Sequence, residues 1–160
     1  MAEAPARSSA ERVRQALAAL GHAIEVREFD AATRTAADAA AAIGCTVAQI
    51  AKSLVFRAGS SGRPVLVIAS GTHRVDEARV AAALGERIAK ADAGFVRDKT
   101  GFAIGGVAPV GHTEKPVTLI DEDLLRHTEI WAAAGTPNSV FPLSPQALVA
   151  MTNGRVIAIK

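Results

Sequence analysis

Between Thr100 and His112 the chain reads TGFAIGGVAPVGH, which places Gly101, Gly105, Gly106, Gly111 and Pro109 within thirteen residues. Glycine loses more backbone freedom on folding than other residues, and proline has no N–H to give to a ladder. Neither a helix nor a central strand runs through such a stretch. It is therefore a loop, and the elements on either side must hold it in place. So many glycines also let main-chain N–H groups come close to a ligand, with Pro109 stiffening the approach. The same glycines also suit a tight connection between strands, although a simple turn needs only one or two.

The chain has 160 residues, enough for one domain with a substantial core. Aromatic residues are only 4% and tyrosine is absent, which argues against a stacking platform for single-stranded nucleic acid. The formal charge of +2 argues against general affinity for a long polyanion. The charge is uneven, however. From Gln49 to Lys99 there are nine basic residues against five acids, whereas Glu114 to Glu129 is acidic. That asymmetry reads either as an ordinary solvated surface or as a face that orients a phosphate-rich partner. A single cysteine, Cys45, excludes an internal disulfide and fits a reducing compartment. It reads as a small hydrophobe rather than a nucleophile. Without an apolar leader or a run of membrane-spanning length, a cytoplasmic protein with no membrane role is expected.

The punctuation of the chain predicts its elements. Residues Met1 to Arg7 read as frayed, Ser9 as the cap of a helix reaching Leu20, and Ile24 to Phe29 as a half-buried strand. Thr35 to Ile43 is an alanine-rich helix stopped by Gly44, and Thr46 opens a short helix TVAQIAKS with Lys52 in its last turn. LVFR and PVLVIAS are strands joined by AGSSGR, a hairpin signal. Asp76 caps EARVAAAL, Asp92 begins another short helix ending near Gly101, and VTLI follows the glycine loop as a strand. Asp121 caps DEDLLRH. Two strands flank the turn GTPNS, Ser144 and Pro145 open SPQALVAM, and RVIAIK ends the chain as a strand. Interleaved strands and helices with hairpins imply a mixed α+β fold.

Several residues are candidates for chemistry. Lys52, at a helix-to-strand joint, either complements the helix dipole or aims an ammonium at a phosphate or ribose hydroxyl. In the glycine loop, main-chain donors could face a developing oxyanion. In known acyl-transfer sites each such donor contributes about 3 to 4 kcal/mol. His112 could donate to a phosphate or act as a base, or be a surface histidine without a role. Ser70, Thr72 and His73 lie between a strand and a helix and could line a pocket. Asn138, in the turn GTPNS, could read a ligand through its amide or simply shape the turn. His22, His73, His112 and His127 show no metal-ligand spacing, so no metal is expected. A nucleophile elbow is also absent, so any reaction here must be chemically easy.

In chain order, QIAKSLVF with Lys52, PVLVIASG, RVDEARVAAALG, TGFAIGGVAPVGH and AAGTPNSVFPLSPQAL resemble the YbaK/EbsC (ProX-like) aminoacyl-tRNA deacylases. These are free-standing relatives of the editing domain inserted in bacterial prolyl-tRNA synthetase. The resemblance runs from Ile24 to Lys160. It implies one domain built on a curled, partly barrel-like mixed sheet surrounded by helices. It also implies hydrolysis of a wrong amino acid from the 3′ end of a mischarged tRNA, with no cofactor and with a synthetase as a possible partner. By the same resemblance Lys52 holds the terminal adenosine. The backbone of Gly105, Gly106, Val107 and Ala108 receives the ester carbonyl, and Pro109 and Gly111 shape the loop. Many relatives carry serine where Ala108 stands, which leaves the backbone alone with a role there. Val55, Ile68, Phe102 and Val107 are the expected pocket walls. A module that binds a tRNA end or a nucleotide-like ligand without chemistry is the alternative.

Overall fold

In the computed structural model, residues 8–22, 25–30 and 35–160 are described. The N-terminal stretch read as frayed, and the start of the strand read from Ile24, lie outside them.

Strand β3 (Pro64–Ser70) organises the molecule, and all seven of its residues are buried. A strand covered on both faces reads as a continuous apolar run, as PVLVIAS does. Its alternate residues feed two cores. Leu66 and Ile68 join Val13, Leu17, Phe102, Ile120 and Phe141 on one face. Val65, Val67 and Ala69 join Phe56, Val80, Leu119 and Ile159 on the other.

Helix α1 (Ser9–Ala19) starts one residue earlier than its sequence suggests, because Ser8 rather than Ser9 accepts the Glu11 amide. β1 (Arg27–Glu28) follows as a short edge strand, and α2 (Ala36–Ile43) is capped by Thr35 and closed by left-handed Gly44. The expected helix TVAQIAKS shrinks to a 3-10 turn at Val47–Gln49, and β2 (Ile50–Ala58) begins at once. Ile50 and Ala51 pair with a neighbouring strand, and that pairing overrides the local helical pattern. Lys52 is therefore the third residue of a strand rather than part of a helix's last turn.

The hairpin forms as expected, with β2 antiparallel to β3 from Ala51↔Ser70 to Arg57↔Pro64. α3 (Glu77–Leu84) is capped by Asp76. β4 (Ile88–Lys90), not foreseen in the sequence, returns to β2. α4 (Ala93–Thr100), capped by Asp92, leads into the glycine loop. β5 (Val117–Asp121) lies parallel to β3. β6 (Ile130–Ala133) runs parallel to the start of β2, and β7 (Ser139–Leu143) pairs with β6 and β1. α5 (Pro145–Thr152), capped by Ser144, precedes β8 (Arg155–Ile157), which lies parallel to β5. The sheet order is β1-β7-β6-β2-β3-β5-β8, with β4 also on β2. The mixed sheet with helices is the expected α+β class, and it stays open, with β1 and β8 at its edges.

One consequence of this order creates the site. On one side β2 is paired with β3 along almost its whole length. On the other it pairs with β6 at Ile50–Ala51 and with β4 at Phe56–Ala58. Between them Lys52–Val55 have no strand neighbour on that side among the described residues. The sheet has a slot there.

The central position of β3 makes its side chains costly to truncate. Leu66→Ala is expected to lower stability by about 2–5 kcal/mol, as a lower urea midpoint with an unchanged slope.

Candidate functional site

The slot in β2 opens into a cavity of about 340 Å³. Its walls are Lys52, Ser53 and Leu54 of β2, Trp131 to Ala133 of β6, the first turns of α2, and Gly105 and Val107 of the glycine loop. A second cavity of about 210 Å³ shares Ser53, Leu54, Ile104, Gly105 and Val107 and extends along β2 towards Val55, Lys90 and Val96. The loop thus crosses the gap where two cavities meet, with Ile104 exposed at its tip.

The loop is held by its neighbours. α4 ends at Gly101 in the left-handed region, where the Thr100 hydroxyl donates to the Val96 carbonyl and accepts the Phe102 amide. Gly105 has φ +91°, a conformation that side chains rarely adopt. At Gly106 the reason is contact: a Cβ there would lie 2.9 Å from the Thr136 backbone. The turn at 135–139 supports the loop in this way. It is itself closed by Thr136 Oγ1, 2.8 Å from Asn138 Oδ1 and 2.6 Å from Ser139 Oγ.

Lys52 is half-buried. Desolvation pushes its ammonium below the usual lysine value; Asp121 opposes that shift and Arg74 adds to it. The register explains why these charges are felt. Lys52 faces Ala69 across the ladder, and the next residue, Ser70, donates its amide to Asp121 Oδ2 at 3.0 Å.

Of the candidates read from the sequence, Lys52, Gly105 and Val107 line one cavity. Gly106, Ala108 and Pro109 are buried within the same loop. The others are placed elsewhere. Phe102, expected in the pocket wall, is fully buried behind the loop, edge-on to His112 at 5.4 Å. Ile68 is likewise core, because its position on β3 points it inward. His112 and Gly111 face α1 and line none of the Lys52 cavity. The His112 ring donates from Nε2 to the Ala108 carbonyl. Burial lowers its pKa; the bond to Ala108 opposes this and Arg12 reinforces it.

Asn138 uses its amide on the Phe29 carbonyl, 3.0 Å away, tying the chain after β1 to the turn. Ser70 donates to the Ala48 carbonyl, and Thr72 stands exposed beside it. His73 Nδ1 lies 2.7 Å from Asp121 Oδ2 and its Nε2 lies 3.5 Å from Asp123 Oδ2. These three side chains are spaced as cation ligands could be. Their carboxylates, however, already serve the Ser70 and Asp123 amides, Arg126 and Lys160. Cys45 is half-buried against α2, and burial raises its thiol pKa, which suits a packing role.

Sequence reasoning missed Trp131 and Ser53. Trp131 reaches the cavity only because β6 sets it beside Ile50, a pairing with no local signal. Ser53 follows Lys52 directly and carries a buried hydroxyl with no partner among the described residues.

With this geometry in place, comparison is informative. Residues 30–151 match the model of the aminoacyl-tRNA editing domain. The chain belongs to that family. It is 33% identical over 124 residues to YwhH of Bacillus subtilis, an uncharacterised protein, covering 78% of each. It is 26% identical over 145 residues to EbsC of Enterococcus faecalis, named as a candidate Cys-tRNA(Pro)/Cys-tRNA(Cys) deacylase, covering 86% of this chain and 87% of that one. A crystal structure of a candidate trans-editing enzyme for prolyl tRNA synthetase superposes with a TM-score of 0.90 at 42% identity, covering 99% of both chains. The expected YbaK/EbsC resemblance is therefore a family relationship, and the fold is that of its editing domains.

The close approach at Gly106 has a measurable consequence. Gly106→Ala forces the loop off the Thr136 backbone, and overpacking of this kind costs about 1–3 kcal/mol, read as a lowered denaturation midpoint.

Proposed function

We propose that this protein is an aminoacyl-tRNA deacylase acting in trans, which hydrolyses the ester between a wrongly attached amino acid and the terminal ribose of its tRNA. The observation that carries the reading is the shared cavity: Lys52, Gly105 and Val107 border one space at the slot in β2. That space, about 340 Å³, is at the small end of the roughly 300–1,000 Å³ of ligand sites. It suits a tRNA terminus rather than a long strand.

The chemistry needs little from side chains. An aminoacyl ester is already activated, so fixing it beside water and stabilising the oxyanion suffices. Lys52 holds the terminal phosphate or ribose. The Gly106 amide already donates to the Ala103 carbonyl, so the main-chain N–H groups of Gly105, Val107 and Ala108 receive the carbonyl oxygen as it gains charge. Water, or the adjacent ribose hydroxyl ahead of water, adds to the carbonyl carbon. The carbon–oxygen bond to the leaving ribose oxygen breaks, that oxygen takes a proton, and a free amino acid leaves. Ala108 contributes backbone only, so the loop acts without the hydroxyl found in many relatives. Such a second site has a purpose because one methylene discriminates by only about 1–3 kcal/mol in a synthetase pocket.

A panel of mischarged tRNAs that includes Cys-tRNA(Pro) and Ala-tRNA(Pro) tests this. The wild-type protein is expected to release amino acid from at least one. Lys52→Ala is expected to lose on the order of 100-fold in kcat/KM through misplacement of the substrate. Tight binding of charged tRNA without release favours the binding module instead, and full activity of Lys52→Ala overturns the mechanism.

The displaced titration of Lys52 gives a second expected outcome. The charged form holds the substrate, so kcat/KM, corrected for spontaneous hydrolysis, falls as pH rises through the depressed value, below an ordinary lysine at about 10.4. In Lys52→Arg that alkaline limb is expected to vanish.

A further inference from the structure

The glycine loop is gripped from the side away from Lys52. Arg12 of α1 reaches both of its stems. Its Nη1 donates to the Gly101 carbonyl at 3.0 Å, and its Nη2 donates to the Gly111 carbonyl at 2.6 Å and to Thr100 at 3.4 Å. The guanidinium also lies 5.0 Å from the centroid of Phe102, the side chain that plugs the loop's interior. Arg12 has no carboxylate partner among the described residues. A planar fork of fixed donors suits such bridging, and an ammonium cannot reproduce it. The fit is close, because a Cβ on Gly101 would run into both terminal nitrogens of Arg12.

His112 completes the grip. Its Nε2–H donates to the Ala108 carbonyl, which belongs to the peptide bond before Pro109. Because a carbonyl only accepts, Nε2 carries the proton. Nδ1 is then a bare lone pair, buried and without a partner among the described residues. Buried polar atoms are nearly always satisfied, so such an exception calls for a reason. Protonation at Nδ1 would put a second N–H and a charge into a space that offers no acceptor, close to the Arg12 cation. Among the described residues Arg12 from α1 is the charge felt at the ring, and Lys115, from the segment after the loop, lines a cavity with His112.

We propose that Arg12 and His112 are positioning residues that set the main-chain N–H groups of Gly105, Val107 and Ala108 from behind the loop. The inference rests on the deacylase reading. It goes beyond it, because neither residue borders the Lys52 cavity and α1 precedes residues 30–151, which the family model matches. Substrate binding by Lys52 is left alone, while the geometry of the oxyanion donors depends on α1.

The test compares wild type, Arg12→Gln, Arg12→Lys and His112→Gln on Cys-tRNA(Pro) and Ala-tRNA(Pro). It also follows hydrogen exchange of the loop amides. Arg12→Gln is expected to lower kcat on the order of 10- to 100-fold with KM changed by less than about twofold, and Arg12→Lys to recover little. In wild type, kcat is expected to fall at acid pH as His112 gains a proton, below the usual histidine value of about 6.5. Removing the neighbouring charge in Arg12→Gln moves that limb to higher pH. His112→Gln, whose amide can still donate to Ala108, removes the limb and keeps most of the activity. A purely structural role for Arg12 would speed exchange in β3 as much as in the loop and leave kcat per folded molecule unchanged. An unmoved limb, or a loss confined to KM, overturns the proposal. Should Arg12→Gln fail to fold, His112→Gln and the split between kcat and KM in Arg12→Lys decide the matter. Should wild type hydrolyse neither probe, the deacylase reading is what fails for them. Exchange then judges the grip: faster exchange at Gly105 to Ala108 in Arg12→Gln, with β3 unchanged, supports it, and equal exchange overturns it.

Discussion

A strand has two edges, and the outer edge of β2 is shared between partners that cannot meet. β6 lies along its first two residues and β4 along its last three, leaving Lys52–Val55 uncovered between them. A strand edge without a neighbour needs other partners for its main-chain groups. Here the space beside the edge is walled by the glycine loop on one side and β6 on the other. The cavity, the placement of Lys52 and the approach of the loop all follow from where the two strands part.

The loop is pinned at three points. At its base, α4 ends in a left-handed glycine and the Thr100 hydroxyl closes the turn. At its middle, Gly106 rests on the Thr136 backbone at a distance that excludes any side chain. Behind it, Arg12 of α1 lies over the Phe102 ring, which meets His112 edge-on. A loop held this way can present amides in a fixed direction before any ligand arrives. That preorganisation is what electrostatic stabilisation of a developing oxyanion requires. In the proposed reaction such a loop makes a nucleophilic side chain unnecessary, and the sequence carries no GxSxG elbow.

The contrast between Lys52 and His73 shows how far local pattern carries. Both looked available for chemistry. Lys52 borders the cavity and is only half-buried, so desolvation perturbs it while its charge remains usable. His73, just past the same end of the ladder, is engaged by Asp121 and Asp123. Asn138 and Ser70 likewise give their polar atoms to main-chain groups. A polar residue near a strand end tells nothing of whether a neighbour will claim it. The same ambiguity turned the expected helix before Lys52 into a strand, since Ile50 and Ala51 answer to β6 rather than to their own sequence neighbours.

What the sequence determined alone was local. Caps at Thr35, Asp76, Asp92 and Ser144, the stops at Gly44 and Gly85, the buried run of β3 and the irregular glycine loop are each set by bonds or sterics within a few residues. The order of its motifs also carried the family. Tertiary structure alone decided that β4 turns back onto β2, that Trp131 joins Lys52, and that Phe102 and His112 face inward while Gly105 faces the cavity. These depend on which distant segments pair or pack, and pairing across dozens of residues leaves no periodic trace in the chain. Arg12 is the extreme case: an ordinary arginine on a helix surface in sequence, it bridges carbonyls about ninety residues away because packing of α1 places it there.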